Sequence, residues 1–564
     1  MRWKSLRTSS ERPVTNRKLS NLAAASKHPS DRHLNNNGTA LWLELANPDL
    51  ILHNGRIYTR PEARVRTEAI AVWNGRITDI GSDRDILRLR ARSVETVDLR
   101  QRVVIPGFSD SHIHLLGYGM LLRTLNLNGK GSIQNIQRAV ARVTRTRPPN
   151  SWVVGRGWDQ EKLRERRFLD RNDLAQFDSH AVFLKRVCGH VGVANKLALA
   201  FAGIDRDTPD PDGGEIVRDP ATGEATGLLK EKALELVERS IPRSEEETRA
   251  ALVDASRRLL RLGLTSLHCI IEDPLELRVL HSLKNEEKIP QSIYAILPPS
   301  LLDSAVSMGL ATERGNGSFR VGGVKVYLDG SLGARTAALS EPYSDDPSSV
   351  GMLRMDAGQM DEVAEKASRS GFQLCIHAIG DRAVETAVMA VEKMEKSREG
   401  RALRHRIEHS SLTPLRLLAR MRKCGIVASV QPRFIYSDNW AEQRLGLRRV
   451  RYLYPFRSML RARVHVAAGS DCPIEDPDPF EGVWSAVVRP GLPSDQRLTV
   501  GEALASYTTG SAYASFSETD QGTLEPGKRA DMAVLNADPF SCDPDALREI
   551  RVVWTILGGK TVYH

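Results

Sequence analysis

The sequence lacks several features typical of secreted and membrane proteins. Its six cysteines form no Cys-x-x-Cys pair and follow no regular spacing, so buried free thiols are expected rather than a disulfide framework. No apolar run reaches the roughly 18 residues that a membrane-spanning helix needs, and the first residues have no apolar segment of the kind found in secretory signals. We therefore predict a cytoplasmic protein in a reducing compartment, with no membrane partner.

The body of the chain also lacks a basic surface pattern, although the net charge is +10. Residues 1–47 are rich in Ser, Asn and Arg and hold eight basic against three acidic side chains, so half of the net charge lies there. Elsewhere no basic patch is interleaved with aromatic residues, as nucleic-acid-binding surfaces often are. We predict a disordered basic extension over 1–47 and no nucleic-acid partner. Two alternatives for this segment are that translation starts further downstream than assigned, or that the segment is a transit-type peptide.

What is present is an ordinary globular composition, with 41% hydrophobic and 27% charged residues over 564 positions. A chain of this length forms one large barrel with additions, or two to four domains. Short strand-like runs flank the Asn54-Gly55 and Asn74-Gly75 turns, and similar runs follow Gly522. These patterns predict a β-module built from both chain ends, over 48–106 and 511–564.

The central part, 107–510, alternates apolar strand-like runs with amphipathic helical stretches, which is typical of parallel βα units. The candidate strands are 104–108, 265–271, 321–328, 372–378, 406–409, 426–431 and 464–468. This number favours a (β/α)₈ barrel, also called a TIM barrel, over an open sheet. The stretch from about 120 to 245 is too long for one unit and predicts an inserted α/β subdomain over the barrel mouth. The predicted fold class is α/β.

Two histidines follow the Pro106-Gly107 break. His112 and His114 stand at i and i+2, so on an extended strand both side chains lie on one face. Their ring nitrogens could converge on one ion, and imidazole suits zinc and neighbouring transition metals.

Further candidate ligands end later strands. His377 and His409 are 32 residues apart, the length of one βα unit, which predicts neighbouring strands with both side chains at the same end. Asp471 ends another strand two units later, at the end where such barrels place catalysis. His405 is expected to point away from the site and, like Glu408, is interpreted as structural.

Lys325 lies inside an apolar strand, where an unpaired charge is costly. Two interpretations remain open. The amine pairs with Asp329 or another buried carboxylate, or it is carboxylated and bridges two metal ions.

The motifs PGFSDSHIH, GGVKVYLDGSLGART, HAIGDRA, RHRIEH, GSDCP and GTLEPGKRAD, taken in order, resemble the metal-dependent amidohydrolase superfamily. More narrowly they are similar to amidohydrolase family 3, which includes N-substituted formamide deformylases. The resemblance implies a distorted (β/α)₈ barrel beside a β-sandwich, with one or two divalent metals. Zinc is the first choice over iron, manganese or nickel because nitrogen-rich sites suit it. It also implies the metal ligands His112, His114, Lys325, His377, His409 and Asp471.

Within that resemblance Asp471 is the predicted catalytic acid/base of a hydrolase that cleaves a C–N bond of a small molecule, such as an amide or an N-substituted formamide. The predicted substrate contacts are His190, Glu231, Arg335 and Gln431. A ring deaminase or cyclic-amide hydrolase is the alternative, although His377 is not followed closely by the glutamate that deaminases of the superfamily typically add. A catalytically inactive regulatory relative is a further alternative. A homodimer is compatible with the sequence.

Overall fold

The centre of the molecule is a parallel barrel whose strands follow the order of the sequence. The computed structural model describes residues 47–312, 317–394 and 403–564. Eight barrel strands pair in one sheet, Phe108–Ile113, Leu264–Ile270, Ser292–Leu297, Phe319–Tyr327, Gln373–Ala378, Arg406–His409, Val427–Val430 and His465–Ala468. They are numbered one to eight below. Strands one, two, three, six and seven are buried at every residue, as expected for a parallel sheet covered on its outer face by helices.

Hydrogen bonds beyond the ladder join the eighth strand to the first. The Asp471 amide donates to the His112 carbonyl at 2.7 Å, and the Ser470 hydroxyl donates to Asp110 Oδ2 at 2.6 Å. Gly469 permits this approach, since a Cβ there would lie 2.5 Å from the backbone nitrogen of His112. The barrel is therefore nearly closed at the point where two predicted metal-ligand segments meet.

Helices cover the barrel between its strands. Their bounds are Leu115–Arg123, Glu245–Leu260, Pro274–Asn285, Leu302–Ser307, Ala357–Arg369, Asp381–Met394, Leu415–Lys423, Phe434–Ser437, Ala441–Val450, Phe456–Arg461, Pro479–Val488, Val500–Ala505 and Ser511–Ala514. Several begin at a capping box; at Glu245–Leu260 the Ser244 hydroxyl accepts from the Glu247 amide while the Glu247 carboxylate accepts from the Ser244 amide. No helix in the described ranges has the length and apolarity needed to span a membrane.

Two further sheets use both ends of the chain. One contains the strands Leu50–His53, Ala69–Trp73, Arg76–Gly81 and Glu95–Asp98. The other contains Arg56–Arg60, Val65–Thr67, Val103–Pro106, Met532–Leu535, Val552–Leu557 and Lys560–Tyr563. Residues from both termini share one apolar core, for example Ile57, Val72 and Ile556. Asp83–Ile86 forms a short helix beside the first sheet.

A fourth sheet lies between the first and second barrel strands in sequence. Its strands are Leu125–Asn126, Trp152–Trp158, Ala181–Arg186, Val191–Ala194, Gly214–Arg218 and Ala225–Glu231, with helices Ile133–Thr144, Lys196–Phe201 and Ala233–Glu238. It has its own apolar cores, one of which contains Trp158 and Phe177. We call this part the inserted sheet.

The α/β class with a (β/α)₈ barrel and added sheets is confirmed. The strand predicted over 104–108 is wrong in its bounds, because the Gly107 break separates Val103–Pro106, in the terminal sheet, from Phe108–Ile113 in the barrel. The third barrel strand, Ser292–Leu297, was not among the candidates. The predicted segment 1–47 falls, up to residue 46, outside the described residues.

Candidate metal centre

The predicted metal ligands come together at the carboxyl ends of the barrel strands. They are His112 in strand one and His114 just after it, Lys325 in strand four, His377 in strand five, His409 at the end of strand six and Asp471 after strand eight. Ligand atoms of His112, His409 and Asp471 all lie within 4.8 Å of one another. His112 Nε2 and His114 Nε2 lie 3.3 and 3.4 Å from the same Asp471 oxygen, Oδ1.

The opposite ring nitrogens of these histidines are held by acceptors. The pairs are His112 Nδ1 with Glu408 Oε2 at 2.5 Å, His114 Nδ1 with Glu272 Oε1 at 3.2 Å and His409 Nδ1 with Gln431 Oε1 at 2.7 Å. An acceptor at Nδ1 selects the tautomer whose Nε2 lone pair is free, which is how metal-binding histidines are usually oriented.

The backbone is unusual where two of these ligands stand. His409 has φ of +70°, Ser410 +47° and Asp471 +57°, a left-handed region that side chains other than glycine, asparagine and aspartate seldom adopt. Such conformations persist where surrounding contacts enforce them, often at functional sites. The turn at His409 lets two successive side chains approach His112, since Glu408 contacts its Nδ1 and the His409 ring lies 5.0 Å away between centroids.

A buried ion pair lies beneath His112. Arg406 Nε donates to Glu408 Oε1 at 2.7 Å, and both side chains are fully buried. Arg406 also donates to the Ser111 carbonyl at 2.5 Å and the Ser429 hydroxyl at 3.0 Å, and lies 3.1 Å from His268 Nδ1. Burial alone would raise the pKa of Glu408, but the charge and hydrogen bonds of Arg406 hold that pKa below its ordinary value.

The Lys325 side chain is buried and, among the residues that the structure describes, pairs with no carboxylate. Its amine is 3.3 Å from His112 Nε2 and 4.9 Å from the centroid of the Tyr327 ring. No ion pair to it is found among the described residues, and Asp329 is engaged elsewhere, accepting from the amides of Ala338, Ile379 and Gly380. The predicted pair between Lys325 and Asp329 is therefore not formed. Burial lowers the pKa of the Lys325 amine.

The pKa values of the four predicted histidine ligands are shifted in different directions. Burial lowers the pKa of His377 to about 3 and those of His112 and His409 well below the ordinary value, so these rings are neutral and able to bind a metal at neutral pH. His377 Nε2 lies 3.0 Å from the Gly330 carbonyl and 3.4 Å from Asp329 Oδ1. Burial lowers the pKa of His114, but Asp471 and Glu272 outweigh it and raise that pKa to about 9, so these carboxylates favour a cation at this position.

The predicted substrate contacts lie in different surroundings. His190 Nδ1 and Glu231 Oε2 lie 3.0 Å apart on the inserted sheet, both side chains being more than half exposed. Arg335 is paired with Asp345, Nη2 to Oδ2 at 2.9 Å. Gln431 alone contacts a predicted ligand, through His409, and within the described part its buried amide nitrogen has no hydrogen-bond partner.

Two carboxylates in this region were missed or underrated from the sequence. Glu272 follows strand two and contacts His114, and Glu408 contacts His112 although it was interpreted as structural. The position of Glu272 just past a barrel strand was the available signal. For Glu408 the signal was hidden by the left-handed turn at His409.

The model of the amidohydrolase family matches residues 95–563. The chain belongs to this family. It is 35% identical over 534 residues to the Bacillus subtilis protein YtcJ, covering 91% of this chain and 99% of that one. It is 28% identical over 545 residues to an N-substituted formamide deformylase of Arthrobacter pascens, covering 92% and 98%. An uncharacterized metal-dependent hydrolase from Pyrococcus furiosus superposes with a TM-score of 0.78 at 34% identity, covering 87% of this chain and all of that one.

The predicted family resemblance is thus confirmed. The residues also fit a divalent metal by their own chemistry, since imidazole nitrogens and a carboxylate converge while the far side of each ring is held by an acceptor. The individual roles of the ligands stay predictions.

Proposed function

We propose that this protein is a metal-dependent hydrolase that cleaves a C–N bond of a small-molecule amide, with N-substituted formamides as the first substrates to test. The supporting observation is the buried cluster of His112, His409 and Asp471 at the carboxyl end of the barrel, in a chain of the amidohydrolase family. The similarity to a relative named as an N-substituted formamide deformylase supports the choice of substrate class.

In this proposal His112, His114, His377, His409 and Asp471 would hold one or two divalent metal ions. Zinc is the first choice because the donor set is rich in nitrogen, and iron, manganese and nickel are the alternatives. A divalent metal at such a site supplies an activated water and polarises the scissile carbonyl.

Asp471 is the proposed proton carrier. Its Oδ1 lies 3.3 and 3.4 Å from the Nε2 atoms of His112 and His114, which places the carboxylate beside the proposed metal ligands. Asp471 takes a proton from the attacking water as the oxygen adds to the carbonyl carbon. It then delivers that proton to the nitrogen as the C–N bond breaks, so the products are a carboxylic acid and an amine.

Lys325, once carboxylated, would be a further ligand of the proposed metal centre. Its lowered pKa favours the neutral amine, the form that adds to carbon dioxide to give a carbamate and a proton. The carbamate would supply two oxygens in place of the amine, and the missing carboxylate partner in the described part of the chain supports this role.

The alternatives receive less support. The carboxylate that follows His377 most closely, Asp381, accepts hydrogen bonds from the Ser340 amide and hydroxyl, so it is engaged in holding a loop rather than free for a deaminase reaction. An inactive relative would be expected to have lost ligands, and here all the predicted ligand types are present.

The test is hydrolysis by purified protein reconstituted separately with zinc, iron, manganese and nickel. N-substituted formamides and larger N-acyl amines are supplied, and formate or acid and amine are quantified together. Equal release of both products, lost in Asp471→Asn, is expected. Absence of turnover with every metal across the panel would overturn the proposal.

A further inference from the structure

We propose that the cavity between the barrel mouth and the inserted sheet holds the part of the substrate remote from the scissile bond, and that Arg156 selects a substrate bearing a carboxylate there. This inference rests on the proposed amide hydrolysis and adds the substrate class to it. Its residues lie outside the predicted ligands and the predicted substrate contacts.

The cavity has a volume of 490 Å³, and two of its walls come from segments that follow predicted metal ligands in the sequence. One wall is the end of helix Leu115–Arg123, which begins directly after His114. Another is Pro473, two residues beyond Asp471. The helix and this proline pack closely, since a Cβ on Gly117 would lie 3.4 Å from Pro473 and 3.5 Å from the His114 Cβ.

The distance from His114 to the lining residues of the cavity suits a substituent of the substrate rather than the reacting group itself. Leu121 and Leu122, which line the cavity, stand about seven residues beyond His114, or about 10 Å along a helix at 1.5 Å per residue. The volume lies within the range of small-molecule pockets, about 300–1,000 Å³. A substrate with its amide at the metal centre would therefore place an extended side arm here.

The walls combine aliphatic side chains with four polar ones, Thr124, Asn126, Asn128 and Arg156. Leu122 and Val187 are both 43% exposed although they are aliphatic, and both line this cavity. Covering such side chains with an apolar ligand removes them from water, which is favourable. The side arm is therefore expected to be a hydrocarbon chain or ring.

Arg156 supplies the charge in this wall. It lies in strand Trp152–Trp158 of the inserted sheet and lines the cavity. Its neighbours are already paired, Arg186 with Asp159 and Lys185 with Glu238. Across the described ranges no ion pair or side-chain hydrogen bond involves the Arg156 guanidinium.

The surroundings leave that guanidinium accessible. It lies against Gly189, where a Cβ would be 3.4 Å from Arg156 Nη2, and the φ of +80° at Gly189 disfavours any larger residue. A guanidinium presents parallel N–H donors that match a carboxylate, and such charge-assisted pairs are the stronger hydrogen bonds. An apolar arm that ends in a carboxylate satisfies both the walls and the arginine.

The experiment compares matched substrates in the metal-reconstituted full-length protein. Pairs of N-formyl alkylamines of equal length, ending either in a carboxylate or in a methyl group, are assayed for kcat/KM. Wild-type protein is expected to prefer the carboxylate member by about tenfold or more, and Arg156→Met is expected to abolish that preference. Arg138→Met, at an exposed position of helix Ile133–Thr144 in the same insertion, is the matched control and should keep the wild-type ratio.

A binding measurement separates this inference from the proposed reaction. Binding of hexanoate, with hexanamide as the neutral control, is measured by calorimetry on wild type, Arg156→Met and Arg138→Met. If no amide is hydrolysed, the proposed function fails, while hexanoate binding that is weakened only in Arg156→Met still supports the pocket. An equal carboxylate preference in wild type and Arg156→Met, or equal hexanoate binding in both, would overturn the inference.

Discussion

His112 Nδ1 lies 2.5 Å from Glu408 Oε2, and both side chains are fully buried. Glu408 is bound in turn by Arg406. The Glu408–Arg406 ion pair therefore orients His112, a predicted metal ligand. Burying two charges is costly unless they are paired and hydrogen-bonded, as these are. Because Glu408 contacts both Arg406 and His112, the stability of the barrel interior and the geometry of the proposed metal centre depend on the same side chain.

We expect Glu408→Gln to weaken metal binding about 10- to 100-fold, because the neutral amide is a poorer acceptor for the His112 N–H. Chelator competition measures this affinity. Glu392→Gln is the control, since Glu392 forms a comparable pair with Arg420 on the barrel exterior. An unchanged affinity in Glu408→Gln would show that Glu408 does not orient the ligand.

Glu408→Ala should destabilise the fold by about 3–5 kcal/mol, because it leaves the buried Arg406 charge unpaired. Urea unfolding measures the free energy of unfolding. Glu392→Ala, which removes a partly exposed partner, should cost about 1 kcal/mol or less. Equal losses in the two variants would contradict the account of the buried pair.

Substitutions of Asp471 and of His112 should affect metal content differently, although both should abolish hydrolysis. Asp471→Asn is expected to abolish hydrolysis while keeping most of the metal, because asparagine tolerates the φ of +57° and occupies nearly the same volume. His112→Ala is expected to lose both activity and metal. Turnover and metal content are measured on the same samples, and near-wild-type turnover in either variant would refute the assigned roles.

The left-handed turn at His409 gives a further test. His409→Asn should keep the fold, since asparagine adopts φ of +70° readily, but should bind less metal. His409→Val should also lose metal and, in addition, be less stable than His409→Asn by about 1–3 kcal/mol, because a β-branched residue is strained there. Equal unfolding free energies for the two variants would argue that the turn is not enforced.

His405 is expected to make the free energy of unfolding depend on pH. It is buried just before the start of strand six, at the end opposite to the predicted metal ligand His409. Burial lowers the pKa of His405 to about 4, and its Nδ1 accepts from the Leu374 amide. Between pH 6.5 and 4 the unfolded chain binds a proton here and the folded chain does not. The free energy of unfolding therefore falls as pH falls through this window, by about 3 kcal/mol in total from this residue.

His405→Asn retains an acceptor for Leu374 but does not titrate, so its stability should depend less steeply on pH in that window. Urea unfolding at several pH values gives the slope of the unfolding free energy against pH for wild type and for the variant. Parallel curves for wild type and variant would mean that His405 is not responsible.

The barrel and the convergence of its ligands could be predicted because both follow from simple periodicities. Strands of a parallel barrel end at one face, so His377 and His409, one unit apart, had to approach each other, and their ring centroids are 4.4 Å apart. The third strand, Ser292–Leu297, escaped notice because a short, wholly buried apolar run has no alternation and this one ends in no chemically distinctive residue.

The contacts around the ligands could not be predicted because they depend on local backbone conformation. Alternation along a strand assumes extended residues, whereas φ of +70° at His409 brings Glu408 and His409 to the same ligand. The pairing of Lys325 with Asp329 looked reasonable from i, i+4 spacing in a strand. Asp329 instead lies beyond the strand end and binds three backbone amides.

The most direct measurement is the metal content per chain of purified, reconstituted protein by plasma mass spectrometry, with a His112→Ala/His114→Ala variant alongside. About one to two divalent ions per chain in wild type, and nearly none in the double variant, are the predicted results. No bound metal in wild type, or the same content in both proteins, would contradict the proposal that these strand ends form a catalytic metal centre.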